Sequence, residues 1–300
     1  MGVLGAGALV AYDQYRRFAA AGGAIRDHRV KVAASTPRLV IARGTDPQRN
    51  VTAALHALGG MKQFVKKGDV VLVKPNIAWD RVPAQAGNTD PGVVAAIVRA
   101  CRDAGAREVL VTDCPVQDAA RTFERSGIEK AAREAGARVL RPDGARAPAI
   151  EISGRMGNWP VFEPFVAADK IINVPVAKHH GSARVTAGMK NWIGITLHQR
   201  SRFHTALDRT IAELAQLMRP TLTVVDAHRV LMRNGPRGGN LDDVRAEHAL
   251  AMSLDPVAVD AWACDILGAP RDQVGYLRLA EQAGLGTTNY KSLNPVQLTT

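Results

Sequence analysis

From Arg38 onward, short β-rich apolar runs alternate with amphipathic stretches long enough to form helices. This is the pattern of a largely parallel sheet covered by helices. The predicted strands cover 39–42, 70–74, 108–112, 138–140, 170–174, 222–225 and 249–252. Several are almost uninterrupted apolar runs, as expected of strands buried on both faces. Asp46-Pro47 and Asp90-Pro91 each set a capping carboxylate before a proline at the first helical position, which predicts helices near 48–58 and 92–104. Gly105 and Gly136 stand where helices end. The pattern predicts an α/β, Rossmann-like fold with helices on both faces of the sheet, as one large domain or as two lobes around a cleft. The loop-rich stretch 142–164 is the boundary candidate, which divides the chain into 37–150 and 151–300. Residues 1–36 stand apart as a leader or an N-terminal helix.

Composition narrows the class. A chain of 300 residues with 46% hydrophobic content can bury a large core, which excludes disorder and a small disulfide scaffold. The formal charge of +11 favours anionic partners, whether a small anionic ligand, nucleic acid or a membrane surface, and charge alone does not choose among them. Nucleic acid is the disfavoured partner, because aromatics are only 5% and no helix-turn-helix, zinc-finger or stacking-strand signature is present. Cys101, Cys114 and Cys264 are widely spaced without a C-x-x-C pair, so the chain carries no iron–sulfur cysteine motif. Cys101 reads as a buried small hydrophobe and Cys114 as a residue able to line a cleft. The opening apolar run 1–11 is shorter than the roughly 20 residues that span a bilayer. It resembles the hydrophobic part of an export signal, although Arg16-Arg17 follows it instead of preceding it, so both a cytoplasmic and an exported protein remain open.

In open α/β sheets ligands sit outside the carboxyl ends of the strands. That rule selects Lys74-Pro75-Asn76, Asp113-Cys114-Pro115, the segment 175–190 and Asp226-Ala227-His228. The densest of these is 178–191. Not one Asp or Glu occurs from 171 to 207, whereas Lys178, His179, His180, Arg184, Lys190 and His204 all do. Gly181 and Gly188 allow backbone amides close approach to a ligand, and Ser182 and Thr186 add hydroxyls, so the segment is predicted to cradle an anion with Asn76 and Asn191. Lys190 precedes an apolar WIGI run, so its stem is expected in packed surroundings with its amine towards the cleft, suited to covalent attachment, acid–base work or a charge clamp. His180 is the candidate proton carrier, and Lys74 is expected to meet the 178–191 segment across the sheet. Asp226 could orient a histidine or hold a divalent cation. The glycine-rich 234–239 loop fits a mobile lid, and Asp255 caps a helix in which Asp260 forms a salt bridge or supports a ligand from behind.

The motifs VLVKPN at 71–76, TDPGVV at 89–94, KHH at 178–180 with GMKN at 188–191, NGPRGG at 234–239 and DPVAVD at 255–260 together resemble the domain of unknown function 362 family, from about 70 to 286. Many members carry an appended ferredoxin-like cysteine cluster, which this chain lacks. More distantly, the spacing from His180 to Lys190, with His204 downstream, is similar to that of the nickel-pincer lactate racemase family. That resemblance implies a cofactor anchored on Lys190, protons moved by His180 and a metal bound by His204. Cys114 and Asp118 stand where that family has a second catalytic histidine. The cofactor is therefore left unnamed, with a metal or organometallic group admitted. Two functions remain open. One is an enzyme moving a proton or hydride on a bound anion, and the other is a non-catalytic carrier of an anionic ligand or an accessory to a redox partner, either of them able to form homo-oligomers.

Overall fold

The structure, a computed structural model, describes residues 24–152, 157–197 and 200–300. The apolar run 1–11 and the leader as far as residue 23 lie outside the described residues, as does His198. The strands are β1 (Leu39–Arg43), β2 (Val70–Pro75), β3 (Glu108–Val111), β4 (Arg138–Val139), β5 (Ala149–Ile152), β6 (Gly157–Pro160), β7 (Lys170–Val174), β8 (Val176–His180), β9 (Arg184–Thr186), β10 (Leu222–Leu231), β11 (Val244–Ser253) and β12 (Val296–Thr299). The main helices are α1 (Pro47–Ala57), α2 (Pro91–Asp103), α3 (Ala119–Arg125), α4 (Ile128–Glu134), α5 (Pro164–Ala167), α6 (Leu207–Leu217), α7 (Pro256–Leu267) and α8 (Gly275–Gln282).

The central sheet runs β12-β1-β11-β10-β7-β2-β3-β4, with β8 and β9 attached beside β10. Its middle and one side are parallel, β10 with β7, β7 with β2, β2 with β3 and β3 with β4, while β11 runs antiparallel to both β1 and β10. Strands from 37–150 and from 151–300 share this one sheet, with β1 inserted between β12 and β11. Side chains on a strand point alternately to the two faces, and both faces are apolar here. Val70 and Leu72 join a core with α6, α7 and α8, whereas Val71 and Val73 join a second core with α1, α2 and α4. Helices thus cover both sides, as the continuous apolar runs require.

The Asp-Pro starts behave as capping chemistry predicts. Asp46 accepts from the amides of Gln48 and Arg49, Asp90 from that of Gly92, and Asp255 from those of Val257 and Ala258. Gly105 and Gly136 adopt φ of 96° and 92°, the left-handed backbone that ends a helix at little cost only for glycine. Among the described residues no helix is long and apolar enough to cross a membrane.

One departure from the predicted elements positions the site. β10 and β11 are ten residues each, far longer than 222–225 and 249–252. β10 pairs with β7 through Leu222 and Thr223, then with β8 through Asp226 and Leu231. The chain therefore leaves β7 at Pro175 and continues along β10 as β8. It turns back as β9, and this hairpin stands over the carboxyl ends of β2 and β3.

Candidate functional site

The acid-poor segment 178–191 folds as the β8–β9 hairpin followed by a 3-10 turn, Lys190–Ile195. Strand alternation sorts its residues. Lys178 and His180 are two apart on one face, and Lys178 stands opposite Thr186 across the ladder. All three line a cavity of about 400 Å³ that also receives Lys74, Asn76, Asp113 and Lys190. Cys114, Trp79 and Ile193 add apolar wall, and the exposed His204 stands at its margin. His179 points the other way, and its Nδ1 accepts the Gly235 amide at 3.1 Å. Gly181, Ser182 and Arg184 occupy the exposed turn and are not part of the cavity wall. Gly188 does not line it either. Its amide donates to Asp260 at 2.6 Å, and an added Cβ would lie 2.7 Å from that carboxylate.

Beneath the cavity runs a buried polar chain. Lys74 Nζ donates to Asp113 Oδ1 at 2.7 Å, to the Pro75 carbonyl at 2.8 Å and to Asn191 Oδ1 at 3.0 Å. An ammonium has three hydrogens, so these acceptors occupy all of them and one of them is a carboxylate. Lys74 is held as a cation and braces β2 against the ends of β3 and the hairpin. Asp113 Oδ2 accepts the Ile77 amide at 2.6 Å. Asn191 Nδ2 donates to Asn173 Oδ1 at 2.9 Å, and Asn76 Nδ2 donates to Asn191 Oδ1 at 3.1 Å. Gly194 makes this convergence sterically feasible, because a Cβ there would fall 2.1 Å from Asp113 Oδ1 and 2.8 Å from Lys74 Nζ.

Lys178 is bound differently. Its Nζ donates to Asn76 Oδ1 at 3.0 Å and to the Gly87 carbonyl at 2.5 Å, with the side chain 1% exposed. Burial pushes its amine well below the ordinary lysine range. The nearby Lys190 reinforces this and Asp113 opposes it. A neutral amine has two hydrogens and a lone pair, so the two acceptors match its hydrogens. His180 is neutral, since burial and then the charge of Lys190 push its imidazole down to about 2. Its Nδ1 accepts the amides of Ser182 and Ala183 at 3.2 and 3.1 Å, which assigns the ring hydrogen to Nε2. Thr186 is 2% exposed, and among the described residues its Oγ1 meets no hydrogen-bond partner.

Of the four strand-end segments selected from sequence, three meet at this cavity. The fourth does not. Asp226 Oδ2 accepts the Asp90 amide at 2.7 Å and its Oδ1 accepts from the His228 amide at 2.9 Å, while His228 Nε2 contacts Asn50 Nδ2 at 2.8 Å. Asp226 is thus joined to the start of α2 and apart from His204, and among the described residues no three His, Cys, Asp or Glu side chains converge to hold a metal ion. The 234–239 loop is pinned by Arg81 and Gln85, which donate to the carbonyls of Gly238 and Gly239, and it sets Pro236 on the cavity wall. Asn173 escaped the sequence reading, although one polar residue inside the apolar run KIINV was a usable signal. Gly194 escaped it as well, and no local pattern marks it.

The family model described as Domain of unknown function (DUF362) matches residues 71–265. A thylakoid-associated protein of Synechocystis sp. is 29% identical over 243 residues, covering 78% of this chain and 74% of that protein. Two solved structures each superpose with a TM-score of 0.43. The lactate racemase apoprotein from Thermoanaerobacterium thermosaccharolyticum is 12% identical, over 81% of this chain and 58% of that one. A Thermotoga maritima protein is 14% identical, over 75% and 60%. This chain therefore spans about six tenths of the length of those solved chains. The family match extends from the buried strand carrying Lys74 to the helix carrying Asp260, and the chain belongs to the DUF362 family.

Proposed function

We propose that this protein is an enzyme that binds a small carboxylate-bearing ligand in the hairpin cavity and rearranges protons on it. The observation that carries the proposal is the Thr186 hydroxyl. It is a buried donor that meets no hydrogen-bond partner among the described residues, on the wall it shares with Lys178 and His180. A buried polar group left unpaired costs about 1–3 kcal/mol, and a ligand oxygen at that wall relieves the cost.

Charge supports an anion. Lys74 and Lys190 bring positive charge to a lining on which Asp113 is the carboxylate, with both of its oxygens already accepting hydrogen bonds. Lys74 acts as the brace, and Lys190 lends positive charge from the wall. His180 offers its Nε2 hydrogen to negative charge that develops on the ligand, the part a neutral imidazole plays as a donor in a water-poor site. Lys178 supplies the reactive nitrogen.

The donor set bears on the cofactor. Among the described residues a metal ion held by side chains alone does not fit, because of the two candidate ligands only His204 borders the cavity. An organic cofactor bringing its own metal needs fewer protein ligands, and Lys190 and His204 would be the residues to hold it.

Thermal denaturation of the full chain against a panel of small hydroxy, oxo and plain carboxylates tests the reading. A ligand at one hundred times its Kd stabilises by about 2.7 kcal/mol, which raises the midpoint by several degrees in a chain of this size. Absence of any shift across the panel would contradict the proposal. Catalysis is then read by incubating the stabilising acid in D2O. Loss of the signal of a carbon-bound proton next to the hydroxyl or oxo carbon, or on it, is expected, with His180→Asn retaining affinity and losing most of the exchange.

A further inference from the structure

We propose that Lys178 forms an imine with the carbonyl carbon of a small 2-oxo acid bound in this cavity. The inference deepens the preceding reading and depends on it, since it names the ligand class and the first bond made.

Three geometric facts single out Lys178. It is the buried lysine whose nitrogen has two acceptors, Asn76 Oδ1 and the Gly87 carbonyl, where Lys74 has three that include a carboxylate. Two acceptors orient an uncharged amine and leave its lone pair uncommitted, whereas three hold an ammonium. Second, Lys178 and Thr186 are direct partners across the β8–β9 ladder, so the amine and the unpartnered hydroxyl project side by side into the same cavity. Third, His180 lies on the same face two residues on, with its hydrogen on Nε2 because the Ser182 and Ala183 amides occupy Nδ1. An amine flanked by a hydroxyl and an imidazole N–H suits an adjacent pair of carbonyl and carboxylate, one oxygen for each donor and the carbonyl carbon for the nitrogen.

The step balances without a co-reactant. The Lys178 lone pair forms the N–C bond while the carbonyl π pair moves to oxygen, giving a carbinolamine. The nitrogen gives up both of its hydrogens to that oxygen, which leaves as water, and the C=N bond remains. A proton taken up from solvent then protonates the imine nitrogen and restores one N–H for Asn76 Oδ1. No oxidation or reduction occurs, and in an acid with hydrogens on C3, such as pyruvate or 2-oxoglutarate, the imine draws electrons from that carbon and favours proton loss there.

The test is reductive trapping on the full chain. Pyruvate, glyoxylate and 2-oxoglutarate are each incubated with the protein and sodium cyanoborohydride, and peptide mass spectrometry locates the adduct. Each unit by which a lysine pKa falls raises its unprotonated fraction about tenfold near neutral pH. Lys178 is therefore expected to be labelled at least about tenfold faster than the exposed Lys66 and Lys67 by one or more of the acids. The site-resolved readout needs no variant to fold, and Thr186→Val is expected to slow labelling at Lys178 alone. Labelling confined to exposed lysines with all three acids would overturn the imine. If acids still stabilise the chain while Lys178 stays unlabelled, this inference fails and the cavity reading stands, and if no acid stabilises it, both fail.

Discussion

Two buried lysines a few side chains apart carry opposite tasks. Lys74 is paired with Asp113 and fully hydrogen-bonded, whereas burial pushes the Lys178 amine well below the ordinary lysine range. Removing one partner of a buried ion pair leaves the other charge stranded, at a cost of about 3–5 kcal/mol. Lys74→Met should lower unfolding stability in urea by that amount, and a loss below about 1 kcal/mol would contradict the brace. The histidines set an acid response. His28 is held down to about 4 by burial, against the Asp169 carbonyl that accepts its hydrogen bond, and His180 is held down to about 2. Below the unfolded value of 6.5 the unfolded chain takes up protons that the folded chain refuses, so stability falls as pH drops from 6.5 towards 4 for both and on towards 2 for His180. Asp260, pushed up to about 7 by burial, works in the opposite sense from 7 down to 3.8 and offsets about one histidine. His180→Asn should flatten the fall between pH 6 and 4 by about 1.4 kcal/mol per pH unit. At this scale the sequence was informative about which lysines and histidines matter and silent about their partners. Those lie 39 and 117 residues from Lys74, and no local pattern encodes such separations.

Elements were legible wherever their cause was local. The Asp-Pro starts, the glycine ends and the apolar strand runs all follow from capping and burial. The 178–191 segment was read as a loop cradle because glycines and charge dominate it. Its Ala-Lys-His-His and Arg-Val-Thr flanks in fact pair as a hairpin, and alternation then separates Lys178, His180 and Thr186 from Gly181, Ser182 and Arg184. The turn after the hairpin depends on close packing. Gly194→Ala would set a methyl against the Asp113–Lys74 pair, and overpacking of this kind costs about 1–3 kcal/mol. Chemical denaturation should show that loss, with ligand stabilisation lost alongside it, whereas an unchanged midpoint would mean that the pair moves aside freely.

At the scale of the molecule, one sheet gathers strands from both halves of the chain, and the extension of β10 carries the hairpin over the ends of β2 and β3. The alternation of strand and helix made the α/β class legible. It could not show that β10 outlasts β7, because that depends on antiparallel pairing with β11. The cavity exists because of that overhang, and in the proposed function the Thr186 hydroxyl donates to a ligand oxygen there. Calorimetric titration with the carboxylate that most stabilises the chain, comparing wild type with Thr186→Val, tests this most directly. A lost hydrogen bond to a charged acceptor, worth about 1.5 kcal/mol, should weaken binding by roughly tenfold. The unliganded variant should keep its stability or gain up to about 1 kcal/mol, since no protein hydrogen bond is lost. Equal affinity in the two proteins would contradict the account.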